Sequence, residues 1–111
     1  MRRDMELIRF ILFDVEGETE VDLSAYSNEQ IIYHKVLLVE SGLIHGTVPA
    51  DETNVYPRRL SWEGHDFLDA ARNETVWKKT MVKVKELGGG VTLEIVKALL
   101  IAIAKDHFGL T

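Results

Sequence analysis

Residues 27–44 read SNEQIIYHKVLLVESGLI, and this stretch predicts a helix together with both of its ends. Ser27 is followed three positions later by Gln30, which is the spacing of a capping box at a helix N-terminus. At the other end, Gly42 can take the left-handed conformation that terminates a helix, and Leu43 supplies the hydrophobic contact of a Schellman motif. The helix is therefore expected to end directly at the start of the next apolar segment.

A β-hairpin is predicted immediately after this helix. Residues 43–48 (LIHGTV) and 55–60 (VYPRRL) have the composition of strands, and the polar loop 49–54 (PADETN) joins them. Pro57 has no amide hydrogen, so the second strand is expected at the edge of its sheet. A helix that ends in glycine and continues into a hairpin indicates the recognition helix and wing of a winged-helix domain.

The residues before this helix predict a first helix over 4–16, which Gly17 ends, and a short edge strand over 18–23. A standard helix-turn-helix has a separate helix before its recognition helix. The segment 17–26 is too short and too acidic to supply a complete one. The helix-turn-helix is therefore predicted to be degenerate.

Three further helices are predicted downstream. Ser61 is expected to cap one that runs to Arg72, the next begins at Asn73 or Thr75 and runs to Leu87, and Thr92 is expected to cap the last, which runs to about His107. The triplet Gly88–Gly90 separates the last two. The predicted fold is α+β: a winged-helix-like core over residues 1–72, with a C-terminal helical hairpin over 73–111 packed on it as one domain. The predicted core unites the first helix, the inner face of the second helix and the hairpin, and its heavily buried positions are Ile8, Ile32, Val36, Val39 and Leu68.

Composition limits the cellular setting. The chain has 111 residues, 46% of them hydrophobic, and no cysteine, so a disulfide framework or a thiolate metal site is excluded. The longest apolar run, Ala98–Ala104, is far shorter than the ~20 residues that cross a bilayer. The basic start of the chain lacks the uncharged segment of a signal peptide. A cytoplasmic protein without a membrane partner is expected.

The charge is distributed unevenly along the chain. The net charge is −5, with −8 on residues 1–69 and +3 on residues 70–111. The run from Asp14 to Asp22 contains five acids and no base. A protein that neutralises many phosphates normally presents a basic face. We expect this acidic run to be a solvated edge that repels DNA or attracts a basic partner.

The chain carries no motif for catalysis or for a cofactor. There is no nucleophile elbow and no HExxH pair, and the glycine triplet lacks the Lys-Ser/Thr of a phosphate-binding loop. His65 and Asp69 share a helix face, but zinc needs three or four convergent ligands, so this pair predicts a surface ion pair. No enzymatic activity, cofactor or metal is expected.

Five segments carry a family resemblance: RDMELIR (residues 3–9), YHKVLL (33–38), SGLI (41–44), LSWEGHDFLDAAR (60–72) and TVW (75–77). They resemble a family of short bacterial and prophage proteins that is classed as a domain of unknown function. The resemblance covers nearly the whole chain and implies a winged-helix-like fold. It implies no catalytic or ligand-binding residue.

Two functions are compatible with this pattern. The first is a DNA-binding transcriptional regulator of bacterial or prophage origin that reads duplex DNA with the outer face of the second helix and the wing; its predicted contact residues are Asn28, Gln30, Tyr33, His34, Arg58 and Arg59. Asparagine and glutamine can pair with adenine, and the two arginines can hold phosphates. However, Asp51 and Glu52 give the wing an acidic tip. The alternative is a protein-interaction module that does not bind DNA.

A homodimer is also predicted. Apolar residues surround more than one face of the last helix, and the predicted interface consists of Leu99, Leu100, Ile103 and Phe108. A twofold partner would cover them with the same patch on both chains. The alternative is that the preceding helix, through Trp77, Met81 and Val84, covers one side of the last helix and the first helix covers the other.

Overall fold

The computed structural model describes residues 2–51, 53–88 and 90–110. Within these residues the protein is α+β, with five helices and one two-stranded antiparallel sheet. The elements follow one another as α1 (Met5–Glu16), α2 (Asn28–Glu40), β1 (Ile44–Thr47), β2 (Tyr56–Leu60), α3 (Trp62–Ala71), α4 (Glu74–Glu86) and α5 (Leu93–His107). The longest of these helices has 15 residues, and none is long and apolar enough to cross a membrane.

The chain divides into two compact units, residues 1–65 and 66–111, and the division falls inside α3. The first unit contains α1, α2 and the hairpin, and the second contains α4 and α5. The division predicted from the sequence, after residue 72, lies further downstream at the end of α3.

Both ends of α2 form as the sequence predicts. The hydroxyl of Ser27 accepts a hydrogen bond from the amide of Gln30 (3.1 Å), and the Gln30 side chain accepts one from the amide of Ser27 (2.9 Å). Gly42 has a φ of 82°, and the amide of Leu43 donates to the carbonyl of Leu38 (3.1 Å). These are the capping box and the Schellman motif, and they fix the length of α2 locally.

The predicted hairpin is also present, with an irregular ladder. Ile44 pairs with Leu60 and His45 with Arg59. The register then shifts by one residue, so that Gly46 pairs with Pro57 and Arg58 is left as a bulge. A Cβ atom at Gly46 would lie 2.8 Å from the carbonyl oxygen of Tyr56, so the strands approach closely at a position that only glycine fits. Both strands are edges of this sheet, which explains how proline is accommodated in β2.

Helix α3 begins against the junction of α2 and β1. The amide of Ser61 donates to the carbonyl of Leu43 (3.0 Å), and the Ser61 hydroxyl caps the helix by accepting from the amide of Gly64 (2.9 Å). A Cβ atom at Gly64 would collide with the same Leu43 oxygen. A hydrogen bond therefore holds the start of α3 against this carbonyl, and the lack of a side chain at Gly64 permits the close approach.

The edge strand predicted over residues 18–23 is wrong. The carboxylate of Asp22 accepts a hydrogen bond from the amide of Ser24 (2.9 Å), and the amide of Tyr26 donates to the carbonyl of Leu23 (3.1 Å). Hydrogen bonds from the side chain and the amide of Ser24 lower the pKa of Asp22. The backbone is thus folded into local turns instead of pairing with a strand.

Of the two starts predicted for α4, Asn73 is the one that forms, and α5 begins at the predicted cap Thr92. The side chain of Asn73 accepts from the amide of Val76 (3.0 Å) before α4, and Thr92 accepts from the amide of Ile95 (3.2 Å) before α5. Gly89 of the predicted glycine break lies outside the described residues, as does Glu52 at the predicted tip of the wing.

In the first unit α1 contacts α2 and β2, and α2 contacts β1, as predicted for the core. Its buried apolar residues are Leu7, Ile8, Ile11, Leu12, Val36, Leu38, Leu43, Ile44, Val55 and Leu60. In the second unit α4 packs on α5, and the rings of Phe67 and Trp77 meet edge to face with centroids 6.5 Å apart. Its buried apolar residues are Phe67, Leu68, Ala71, Val76, Trp77, Val96 and Leu100.

Three of the five predicted core positions, Ile8, Val36 and Leu68, are buried. The other two, Ile32 and Val39, are only partly buried, so their prediction as heavily buried residues is wrong. The cause lies in α2, which is apolar around most of its circumference. Leu38 and the polar His34 occupy the interior instead.

Candidate functional site

His34 does not lie on an exposed face of α2, and its prediction as a DNA-contacting residue is wrong. Its side chain is fully buried. The amide of Asp4 donates to Nε2 (2.7 Å), and Nδ1 lies 2.7 Å from the carbonyl of Gln30. Because Nε2 accepts a hydrogen bond, the ring proton resides on Nδ1, which donates to Gln30. The imidazole links two helices and is not available to a ligand.

The N-terminal turn of α2 is only partly open to a ligand. Asn28 is exposed, as a contact residue must be, but the Gln30 side chain is held in the capping box. Glu29 adds a carboxylate to the same turn, where a phosphate would have to approach. A negative side chain there occupies the favourable electrostatic position that an anion would use.

The remaining predicted contact residues are accessible to different degrees. Arg58 and Arg59 are both exposed on β2, and Arg58 is the bulged residue. Nη1 of Arg59 donates to the carbonyl of Leu60 (3.3 Å). Tyr33 is half-buried, and its ring meets that of His34 edge to face at 5.5 Å.

An open apolar groove runs beside α2 in the first unit. Its volume is about 320 Å³, and the described residues that line it are Glu29, Ile32, Tyr33, Val36 and Thr53. Four of them follow the spacing i, i+3, i+4 and i+7, so they form one face of the helix. That face lies opposite the one that carries His34. Thr53, from the loop between β1 and β2, lines the groove from outside the helix.

The loop side of the groove is fixed by a carboxylate. Oδ1 of Asp51 accepts hydrogen bonds from the Thr53 hydroxyl (2.9 Å) and from the Thr53 amide (3.2 Å). The backbone bond and the side-chain bond both lower the pKa of Asp51, which is fully exposed. The groove therefore has apolar walls, with Glu29 in its lining and an ionised Asp51 bonded to its Thr53.

The predicted dimer interface is partly internal. Leu100 is fully buried within its own chain, so its assignment to an interface is wrong. Leu99 and Ile103 are half-buried, whereas Phe108 is 56% exposed. The sequence missed Leu110, which is 71% exposed and lines a groove of about 240 Å³ together with Phe108.

Among residues 2–51, 53–88 and 90–110, no group of three or more histidine, aspartate or glutamate side chains is arranged to hold a metal ion. The carboxylate of Asp69, which was predicted to pair with His65, lies 3.5 Å from the guanidinium of Arg72.

Sequence reasoning missed the groove although the signal was present. The spacing of Ile32, Tyr33 and Val36 marks an apolar stripe, but this stripe was assigned partly to the core and partly to a DNA-reading surface. The hydrophobic pattern identifies the faces of a helix without saying which one meets the rest of the chain.

The fold and its groove define a class, that of small α+β proteins built from helices and one hairpin. Within it, the chain belongs to the family described as "Hypothetical protein (DUF2513)", whose family model matches residues 2–91. An uncharacterised protein of Haemophilus influenzae is 31% identical over 106 residues, which covers 87% of this chain and 90% of the relative. No solved structure matches the chain.

The substitution His34→Phe is expected to lower the free energy of unfolding by about 1–3 kcal/mol. A phenyl ring fills similar space, but it leaves the amide of Asp4 without its acceptor. Chemical denaturation measures the change. His45→Phe, at an exposed position of β1, is the matched control and should stay within about 0.5 kcal/mol of the wild type. Equal stability of His34→Phe and the wild type would contradict a structural role for this imidazole.

Proposed function

We propose that this protein is a non-catalytic protein-interaction module that binds a segment of a partner protein in the groove beside α2. The observation that carries the proposal is the open groove itself, which the half-buried Ile32 and Tyr33 line together with the buried Val36. Its volume, about 320 Å³, suits the insertion of a few apolar side chains, and apolar grooves beside helices are a recurrent mode of peptide recognition.

The proposal also concerns the fold of the unit that contains the groove. We propose that α1, α2 and the hairpin form a winged-helix-like arrangement in which α2 takes the position of the recognition helix. The support is the direct passage from the Schellman end of α2 into β1. The arrangement is degenerate, because the segment between α1 and α2 contains turns where a further helix would stand.

The composition of α2 favours protein over DNA as its partner. Of the four side chains predicted to contact DNA from this helix, His34 is buried, Gln30 is engaged in the cap and Tyr33 lines the apolar groove. Residues 1–65 contain six Lys/Arg and twelve Asp/Glu, which gives this unit a charge of −6. A phosphate backbone would be repelled by such a unit.

A random-peptide display selection tests the docking groove. Peptides selected on the wild-type chain are expected to lose binding to Ile32→Glu, because a carboxylate would then stand in the apolar wall. Ile32 is half-buried, so the substitution leaves the core filled. Val82→Glu, at a position 59% exposed on α4, introduces the same charge elsewhere and should retain binding. Selected peptides that bind all three proteins equally would contradict the proposal.

DNA binding through the hairpin is the second candidate function. Arg58 and Arg59 are exposed together on β2, and the exposed Tyr56 precedes them, a combination suited to phosphates and bases. The loop that joins the strands opposes this use, because the lowered pKa of Asp51 keeps its exposed carboxylate charged and a carboxylate repels phosphates.

Anisotropy titrations with an arbitrary labelled duplex separate the two functions. At about 50 mM salt we expect no saturation below about 100 μM protein, the weak end of nonspecific DNA affinities. Micromolar binding that weakens as salt rises to about 200 mM, and that is lost in the Arg58→Ala, Arg59→Ala double variant, would favour the DNA-binding function instead.

We also propose self-association through the C-terminal end of α5. Phe108 and Leu110 are exposed beside Ile101, and together they give an apolar patch that a twofold partner would cover. This surface replaces the one predicted from the sequence, in which Leu100 was a member.

Sedimentation velocity at micromolar concentration is expected to detect a dimer that Phe108→Glu dissociates. The control is Leu87→Glu, because Leu87 is 53% exposed against 56% for Phe108 and follows α4 rather than α5. A monomeric wild type, or a dimer that survives Phe108→Glu, would contradict this surface.

A further inference from the structure

The groove beside α2 combines apolar walls with negative charge. Among its described lining residues, Glu29 is the only charged side chain, and it is exposed. In the loop between β1 and β2, Asp51 is bonded to the lining residue Thr53 through two hydrogen bonds, which hold its carboxylate in place. The described lining contains no lysine or arginine. A segment that enters the groove therefore meets the carboxylate of Glu29 in the lining, and the carboxylate of Asp51 is bonded to the lining residue Thr53.

The lining also indicates the secondary structure of the occupant. None of its described residues belongs to β1 or β2, so an extended segment would find no strand edge to pair with there. The contacts available are side chains on one face of α2 and the Thr53 loop. A helix that offers apolar side chains at i, i+3 or i+4 and i+7 can engage such a surface without needing main-chain partners.

Charge complementarity extends beyond the groove. The unit that contains the groove carries a net charge of −6, and the acidic run between Asp14 and Asp22 is part of the same unit. A net negative charge accelerates the approach of a cationic partner and disfavours an anionic one.

We propose that the occupant of the α2 groove is an amphipathic helix of a partner protein, with an apolar stripe that fills the groove and lysine or arginine residues flanking that stripe. The proposal rests on the docking function assigned to this groove above. It adds the secondary structure and the charge of the partner segment, with Glu29 and Asp51 as the residues that select for charge.

Two display libraries of helical peptides test this partner. Both carry the same randomised apolar stripe, one with lysine at the flanking positions and the other with glutamate, and both are selected in parallel on the full chain. The lysine library is expected to yield the binders. Their affinity should fall about threefold to tenfold in the Glu29→Gln, Asp51→Asn double variant, as expected for the loss of two exposed charge pairs.

The double variant retains the hydrogen-bonding shape of both side chains, since asparagine still offers an oxygen to Thr53. Glu40→Gln removes one charge from the exposed C-terminal end of the same helix and should leave the affinity unchanged. Binders from the glutamate library in equal number, or an unchanged affinity in the double variant, would overturn the basic partner. If neither library yields a binder that Ile32→Glu abolishes, the docking function itself fails.

Discussion

A single buried imidazole, that of His34, connects the first two helices and is the polar group on the face of α2 that is turned inward. The ring accepts from the amide of Asp4 at the start of α1 and donates to the carbonyl of Gln30 within α2. Because the backbone satisfies both ring nitrogens, the polar ring is buried without the penalty of an unpaired group. This face of α2 is thereby turned inward. The opposite face, with Ile32 and Tyr33, is left to form the groove.

The features that the sequence predicted correctly are those that neighbouring residues determine. The capping box at Ser27, the Schellman end at Gly42 and the caps at Asn73 and Thr92 each depend on a few adjacent residues, and all four form. The hairpin follows from turn chemistry and from strand-forming composition on either side. Local chemistry therefore accounts for the element order, apart from the strand predicted before α2.

The features that were missed depend on contacts between distant parts of the chain. Apolar residues surround α2, so periodicity could not decide that Leu38 and His34 would point inward while Ile32 would remain accessible. The burial of Leu100 is equally a tertiary result. Arg9 shows the same limit in α1: it is buried despite its charge, paired with Glu6 at 3.2 Å and stacked over an aromatic ring. The candidate site was therefore less predictable than the fold.

The carbonyl of Leu43 has a consequence for how the length of this chain can vary. It joins the end of α2 to the start of α3, because it accepts a hydrogen bond from the amide of Ser61 and lies against the Cα of Gly64, which carries no side chain. An inserted residue within either strand would move these groups apart and reverse the faces of the ladder. The loop 49–54 is free of that constraint, because lengthening a loop adds little closure entropy. Insertions among relatives, or an engineered reporter, should be tolerated at the hairpin tip and rejected at its base.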